Sequence, residues 1–144
     1  MNKNLIVSKT IQIDSPREAV WRVLTQPKYV KQYLYGADLV TDWHVGSPLV
    51  FRGEFEGQLW QDKGTVLTWE PPVRLAYSYY SGTCGLDDQP ENYATVIYEL
   101  GEAGGGTVLA VRQQGYPSDE SQMSSAAGWE GVLAQIKALA EAEK

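Results

Sequence analysis

Few side chains in this sequence carry the usual catalytic chemistries, and they lie far apart. His44 is the one histidine, and histidine is the side chain whose ordinary pKa lies near neutrality. It follows Trp43 at a strand end and precedes the turn residues Gly46-Ser47-Pro48. As a general base it would need a partner acid and a substrate within hydrogen-bond reach, and its setting is that of a surface turn. Cys84 lies in the loop Ser81-Gly82-Thr83-Cys84-Gly85. A nucleophilic thiol needs a base or cation that lowers its pKa, whereas the charges near Cys84 are Asp87 and Asp88, which raise it. A zinc site wants three or four His, Cys or carboxylate ligands, so the expectation is no metal and no cofactor. Glu54 is more interesting. It sits on a strand whose apolar residues are Leu49, Phe51 and Phe55, with Gly53 beside it to host a bulge. Turned inward, its carboxyl would have a raised pKa and be a candidate acid; turned outward, it is solvated.

The richer chemistry is recognition. The chain holds five Trp and nine Tyr against two Phe. Trp and Tyr join an apolar body to a polar tip, which suits a cavity wall as well as a core with a polar edge. Alternation puts Tyr77 and Tyr79 on one face with Leu75, Tyr98 with Val96 and Leu100, and Gln113 with Leu109 and Val111. Phe51 from another strand, Trp21 and Tyr33 from short helices, and Trp129, Leu133 and Ile136 from a terminal helix complete a candidate wall. Ligand pockets are mostly apolar with a few placed polar groups, and the Tyr hydroxyls and Gln113 are such groups. The same side chains would equally serve to fill the interior themselves.

Charge and length narrow the partners. The balance is 12 basic against 18 acidic residues, a net −6. Clustered Lys and Arg, which a phosphate backbone requires, are missing, so neither nucleic acid nor an anionic membrane is expected. A lone cysteine allows no internal disulfide. Near the N-terminus only Leu5, Ile6 and Val7 form an apolar run, short of the roughly 7–15 residues of a secretory signal. Nothing approaches the roughly 20 apolar residues of a membrane span. At 144 residues the expectation is one cytoplasmic domain over residues 1–144.

These side chains must be positioned by elements with recognisable periods. Leu5 to Asp14 reads as a strand. Ser15-Pro16-Arg17-Glu18 has the form of a capping box with Ser15 as N-cap, opening a helix from Ala19 to Leu24. A second short helix follows Pro27, from Lys28 to Leu34, ended by Gly36. Strands are then predicted at Leu39–Trp43, Leu49–Phe55, Gly64–Glu70, Arg74–Tyr80, Tyr93–Leu100 and Thr107–Gln114, with turns between them. Gly101 to Gly106 joins strand to strand and lacks the Lys-Ser/Thr ending of a phosphate loop, so it is a hairpin turn. Trp129, Val132, Leu133, Ile136, Leu139 and Ala140 form one helical stripe, on a helix beginning near Asp119 to Ser121. The order gives an α+β fold, an antiparallel sheet wrapping a C-terminal helix.

Several phrases in this order carry a family likeness: Ser15-Pro16-Arg17-Glu18-Ala19-Val20-Trp21, Val45-Gly46-Ser47-Pro48-Leu49-Val50-Phe51, Asp62-Lys63-Gly64-Thr65-Val66-Leu67 with Glu70-Pro71-Pro72-Val73-Arg74-Leu75, Pro90-Glu91-Asn92-Tyr93, and Gly128-Trp129-Glu130-Gly131-Val132-Leu133. The chain resembles the SRPBCC (START-like, Bet v 1-like, helix-grip) superfamily, in the branch of homologues of the heat-shock protein 90 ATPase activator. The resemblance implies a seven-stranded sheet curled around the last helix, with a cavity that takes hydrophobic or amphipathic small molecules. It fixes no reaction, because one fold hosts many functions. Where the last strand of such proteins often carries a His, this chain has Gln113-Gln114-Gly115, which puts imidazole chemistry there in doubt. Three functions follow as alternatives: a small-molecule binder, an enzyme of the polyketide cyclase or dehydratase type, and a chaperone-interacting module. A homodimer through an edge strand, Trp43 or Trp60 is a further expectation.

Overall fold

The computed structural model describes residues 1–82 and 85–143. Strand β1 (Asn2–Ile13) is followed by helices α1 (Arg17–Thr25) and α2 (Pro27–Tyr33), then strands β2 (Asp38–Thr41), β3 (Pro48–Phe55), β4 (Gln58–Glu70) and β5 (Arg74–Ser81). Strands β6 (Ala94–Ala103) and β7 (Gly106–Tyr116) and the long helix α3 (Asp119–Glu143) complete the chain. The strands form one seven-stranded antiparallel sheet in the order β1-β7-β6-β5-β4-β3-β2. This is the helix-grip arrangement, with α3 held against the inner face and the two short helices beside it.

The predicted stripe of α3 is its buried side: Val132, Leu133, Ile136 and Ala140 are buried, with Trp129 and Leu139 packed beside them. They share a core with Val20, Val23 and Leu24 of α1, Val30 of α2, and Leu49, Val66, Leu75, Leu109 and Val111 of the sheet. The start of α3 is capped by Ser118, whose Oγ accepts the Ser121 N–H at 3.1 Å, satisfying one orphan donor of the first turn.

Ser15 is not the N-cap of α1. Pro16 takes that position, with no side-chain cap. The Ser15 hydroxyl, buried, instead donates to Ala140 O at 2.9 Å in the last turns of α3, and Ser15 O accepts from Thr107 Oγ1 at 2.8 Å. A tertiary partner has displaced the local one. Strand β4 also begins six residues before the predicted Gly64, at Gln58. At Gly64 it passes so close to β5 that a Cβ would lie 1.6 Å from Ser78 O, so glycine is required. Beyond it a bulge shifts the β4–β5 register between Val66 and Thr68, so that Trp69, three residues after the buried Val66, also packs on the core.

Candidate functional site

Between the inner face of the sheet, the turn after α2 and the first half of α3 lies a cavity of about 300 Å³. Its wall takes Leu34, Tyr35 and Ala37 from the α2–β2 connection, Phe51 from β3, Trp60 and Asp62 from β4, and Tyr77 and Tyr79 from β5. Val96 and Gln113 come from β6 and β7, and Ser125, Gly128, Trp129 and Val132 from α3.

Sheet register explains this membership. Tyr77 is paired with Val96, and Val96 with Gln113, so these side chains form one row across three strands. One row further along the same face stand Leu75, Tyr98 and Val111, also paired in sequence; these are buried core. The floor of the cavity falls between the two rows. Toward the other edge, Phe51 faces Asp62 across β3 and β4, and Gly53 faces Trp60. A Cβ at Gly53 would lie 2.8 Å from Cζ2 of Trp60, so the missing side chain is what lets the indole lie across β3.

The polar groups are few and fixed. The Tyr79 hydroxyl donates to Asp62 Oδ2, and the Gly82 N–H donates to Asp62 Oδ1 at 3.1 Å. Trp129 Nε1–H donates to Gln113 Oε1 at 3.1 Å, tying α3 to β7 across the wall. Ser125 Oγ and Tyr116 Oη are 2.8 Å apart. Burial pushes the Tyr77 phenol well up from its usual range, so this hydroxyl stays protonated across the physiological range.

Of the candidates read from sequence, Phe51, Tyr77, Tyr79, Gln113 and Trp129 come together on this wall. Trp21, Tyr33, Tyr98, Val111, Leu133 and Ile136 are placed in the packed interior instead. Trp21 packs on Trp69 with ring centroids 5.0 Å apart. The Tyr33 hydroxyl donates to Leu24 O at 2.8 Å. Tyr98 is set edge-on to Trp129 at 5.9 Å, and its buried Oη meets the hydroxyl of Tyr77. Glu54 is exposed: the β3–β4 register runs unbroken through Gly53, so no bulge turns it inward and it shares the outer face with Arg52. His44 is likewise exposed, its Nδ1 3.8 Å from Asp42 Oδ2. Cys84 lies outside the described residues. Trp43, considered as a dimer contact, stacks on Trp69 at 5.1 Å and donates from Nε1 to Thr25 O at 3.0 Å. Trp60 lines the cavity.

Sequence reading missed Trp60 and Asp62 as wall residues. Their signal is the alternation Trp60-Asp62-Gly64-Val66, legible only once the strand is started early enough. Among the described residues no group of three or more His, Cys, Asp or Glu is placed to hold a metal ion, and no helix is long and apolar enough to cross a membrane.

With this geometry in view, the comparisons with other proteins are consistent. A family model described as activator of Hsp90 ATPase homolog 1-like protein matches residues 14–141. The solution structure of protein ChR145 from Cytophaga hutchinsonii is 33% identical, with a TM-score of 0.84, over 99% of this chain and 98% of that one. CalU16 from Micromonospora echinospora shares 23% identity and a TM-score of 0.67 over 96% of this chain and 76% of that one. The Aha1 dimer from Colwellia psychrerythraea shares 16% identity and a TM-score of 0.73, over 94% and 96% of the two chains. None of the curated proteins matches this sequence.

Proposed function

Since the chain belongs to the activator of Hsp90 ATPase homolog 1-like family and folds as a START-like helix-grip protein, we propose that it binds a small amphipathic molecule between its sheet and α3. The observation that carries this reading is the cavity of about 300 Å³ walled by Phe51, Trp60, Tyr77, Tyr79 and Trp129. That volume sits at the lower end of the roughly 300–1,000 Å³ of small-molecule sites. The wall has the matching composition, apolar and aromatic with a few oriented polar groups.

The test is a thermal-shift screen of the purified protein against short fatty acids, aryl-alkyl amines and alcohols, flavonoids and polyketide-like aromatics. A ligand at about 100 times its dissociation constant adds roughly 2.7 kcal/mol to the folded state, a rise on the order of 10 °C for a domain of this size. A shift confined to one chemical class, and lost when Trp60 and Tyr79 are truncated, is the expected result. A flat panel would count against the reading. One pair favours an enzymatic variant of it: Asp62 and the Tyr79 hydroxyl are hydrogen-bonded in the wall, an acid–base pair within reach of a bound molecule. Mass spectrometry of each stabilising compound after incubation separates turnover from binding.

A further inference from the structure

We propose that the cavity selects an organic cation: a molecule with an apolar, aromatic or alkyl body and an amine or quaternary ammonium group seated beside Asp62. This rests on the binding role proposed above and specifies its ligand. The first observation is charge. Among the described residues, Asp62 is the one charged side chain in the cavity wall, and no Lys, Arg or His joins it. The nearest basic neighbour in sequence, Lys63, takes the next strand position and forms an ion pair with Asp88. An anionic head group would therefore meet a carboxylate with no cation to hold it, whereas a cation would meet its complement.

The second observation is the setting of that carboxylate. It is held, not loose: Tyr79 Oη–H and the Gly82 N–H fix its two oxygens. A carboxylate accepts about four hydrogen bonds, so lone pairs remain for an ammonium N–H. Aromatic rings surround it. Phe51 is directly opposite Asp62 in register, Tyr79 lies 6.3 Å from Phe51 between centroids, and Trp60 stands two positions before Asp62 on the same face. The Phe51–Tyr79 rings are tilted by 59° rather than stacked. Aromatic faces attract a cation within about 6 Å of the centroid, with Trp the strongest, and aromatic cages are the usual recognition device for ammonium groups. Val96 from β6, with Val132 and Trp129 from α3, offers an apolar berth for the body of the molecule.

Three probes of one skeleton test this: 4-phenylbutylamine, 4-phenylbutanol and 4-phenylbutyrate, titrated by calorimetry and by Trp fluorescence at neutral pH. The amine is expected to bind at least tenfold more tightly than the alcohol, a difference of about 1.4 kcal/mol, and the carboxylate most weakly. In Asp62→Asn the amine should fall to the affinity of the alcohol while the alcohol is unchanged. Trp60→Leu, at a half-buried position, supplies a second variant should Asp62→Asn lose its fold; it should weaken the amine more than the alcohol. Alcohol or carboxylate binding as well as the amine would overturn the cation assignment and leave the cavity reading standing. Amine preference that survives both substitutions would overturn the assignment to Asp62 and its cage. No binding of any probe would overturn both.

Discussion

Gly128 provides a test in which stability and binding should move in opposite directions. It lies inside α3, is exposed, and contributes an empty stretch of cavity wall. A Cβ built there meets no atom within 4 Å. Glycine in a helix interior is about 1 kcal/mol less favourable than alanine, and leucine is close to alanine. Gly128→Leu should therefore stabilise the protein by about 0.8 kcal/mol, a rise of about 3 °C in Tm for a chain of this length. The new side chain also projects four carbons into the space a ligand would use. Binding of a neutral probe such as 4-phenylbutanol should fall at least tenfold. Chemical denaturation gives the first quantity and calorimetric titration the second. A stable variant that binds the probe as the parent does would show that the ligand does not lie between α3 and the sheet. A variant less stable by more than about 1 kcal/mol would show that position 128 is closely packed, contrary to the geometry.

Other expectations follow from single features. Gly64→Ala places a Cβ 1.6 Å from a backbone oxygen, which no rotamer relieves; a loss of at least about 2 kcal/mol is expected in urea unfolding. Ile136→Ala, at a fully buried position, should cost about 2–5 kcal/mol by the same measurement. Tyr98→Phe removes a buried hydroxyl that meets the hydroxyl of Tyr77, so it should cost about 1 kcal/mol in urea unfolding; an unchanged stability would show that the contact between the two hydroxyls contributes nothing. The phenols of Tyr33, Tyr77 and Tyr98 are raised chiefly by burial. A raised folded-state pKa gives stability that is complete below the unfolded value of about 10 and is lost as pH climbs above it. Unfolding in base should thus begin near pH 10, with tyrosinate absorbance rising together with loss of circular dichroism; tyrosinate appearing well before unfolding would contradict the burial.

Much of this architecture is legible in the residues because burial imposes a period. The stripe on α3 and the alternation in β5, β6 and β7 follow from one-sided packing, and both returned the correct inward face. Alternation gives the face of a residue but not its depth along the strand. Tyr77 and Tyr98 obey the same rule, yet register puts one at the cavity and the other in the core beneath it. The start of β4 is hidden for a different reason. Leu59 points outward and is 84% exposed, while Asp62 points inward, so the apolar pattern is inverted where a cavity replaces a core. Ser15 obeys a local capping pattern that a partner 125 residues away overrides. Glu54 turned on whether Gly53 bulges, and a glycine there serves the ring of Trp60 instead.

The joint between β1 and the end of α3 bears on how anything enters. Beside the Ser15–Ala140 bond, the Asp14 N–H donates to Glu141 Oε2 at 2.9 Å, and Lys137 Nζ reaches Gln12 O at 2.9 Å and Glu141 at 2.6 Å. All the fully buried residues of α3 lie from Val132 onward. The helix is thus a beam packed tightly at its far end, while its near half, with Ser125 and Gly128, roofs the cavity and is tied to the sheet by polar contacts, Gln122 to Ile6 O, Ser125 to Tyr116 and Trp129 to Gln113. Releasing those contacts would tilt the near half and change the headroom without opening the core. Amide exchange should grade along the beam, fastest in its first three turns and slowest after Val132, and a bound molecule should slow the near half most.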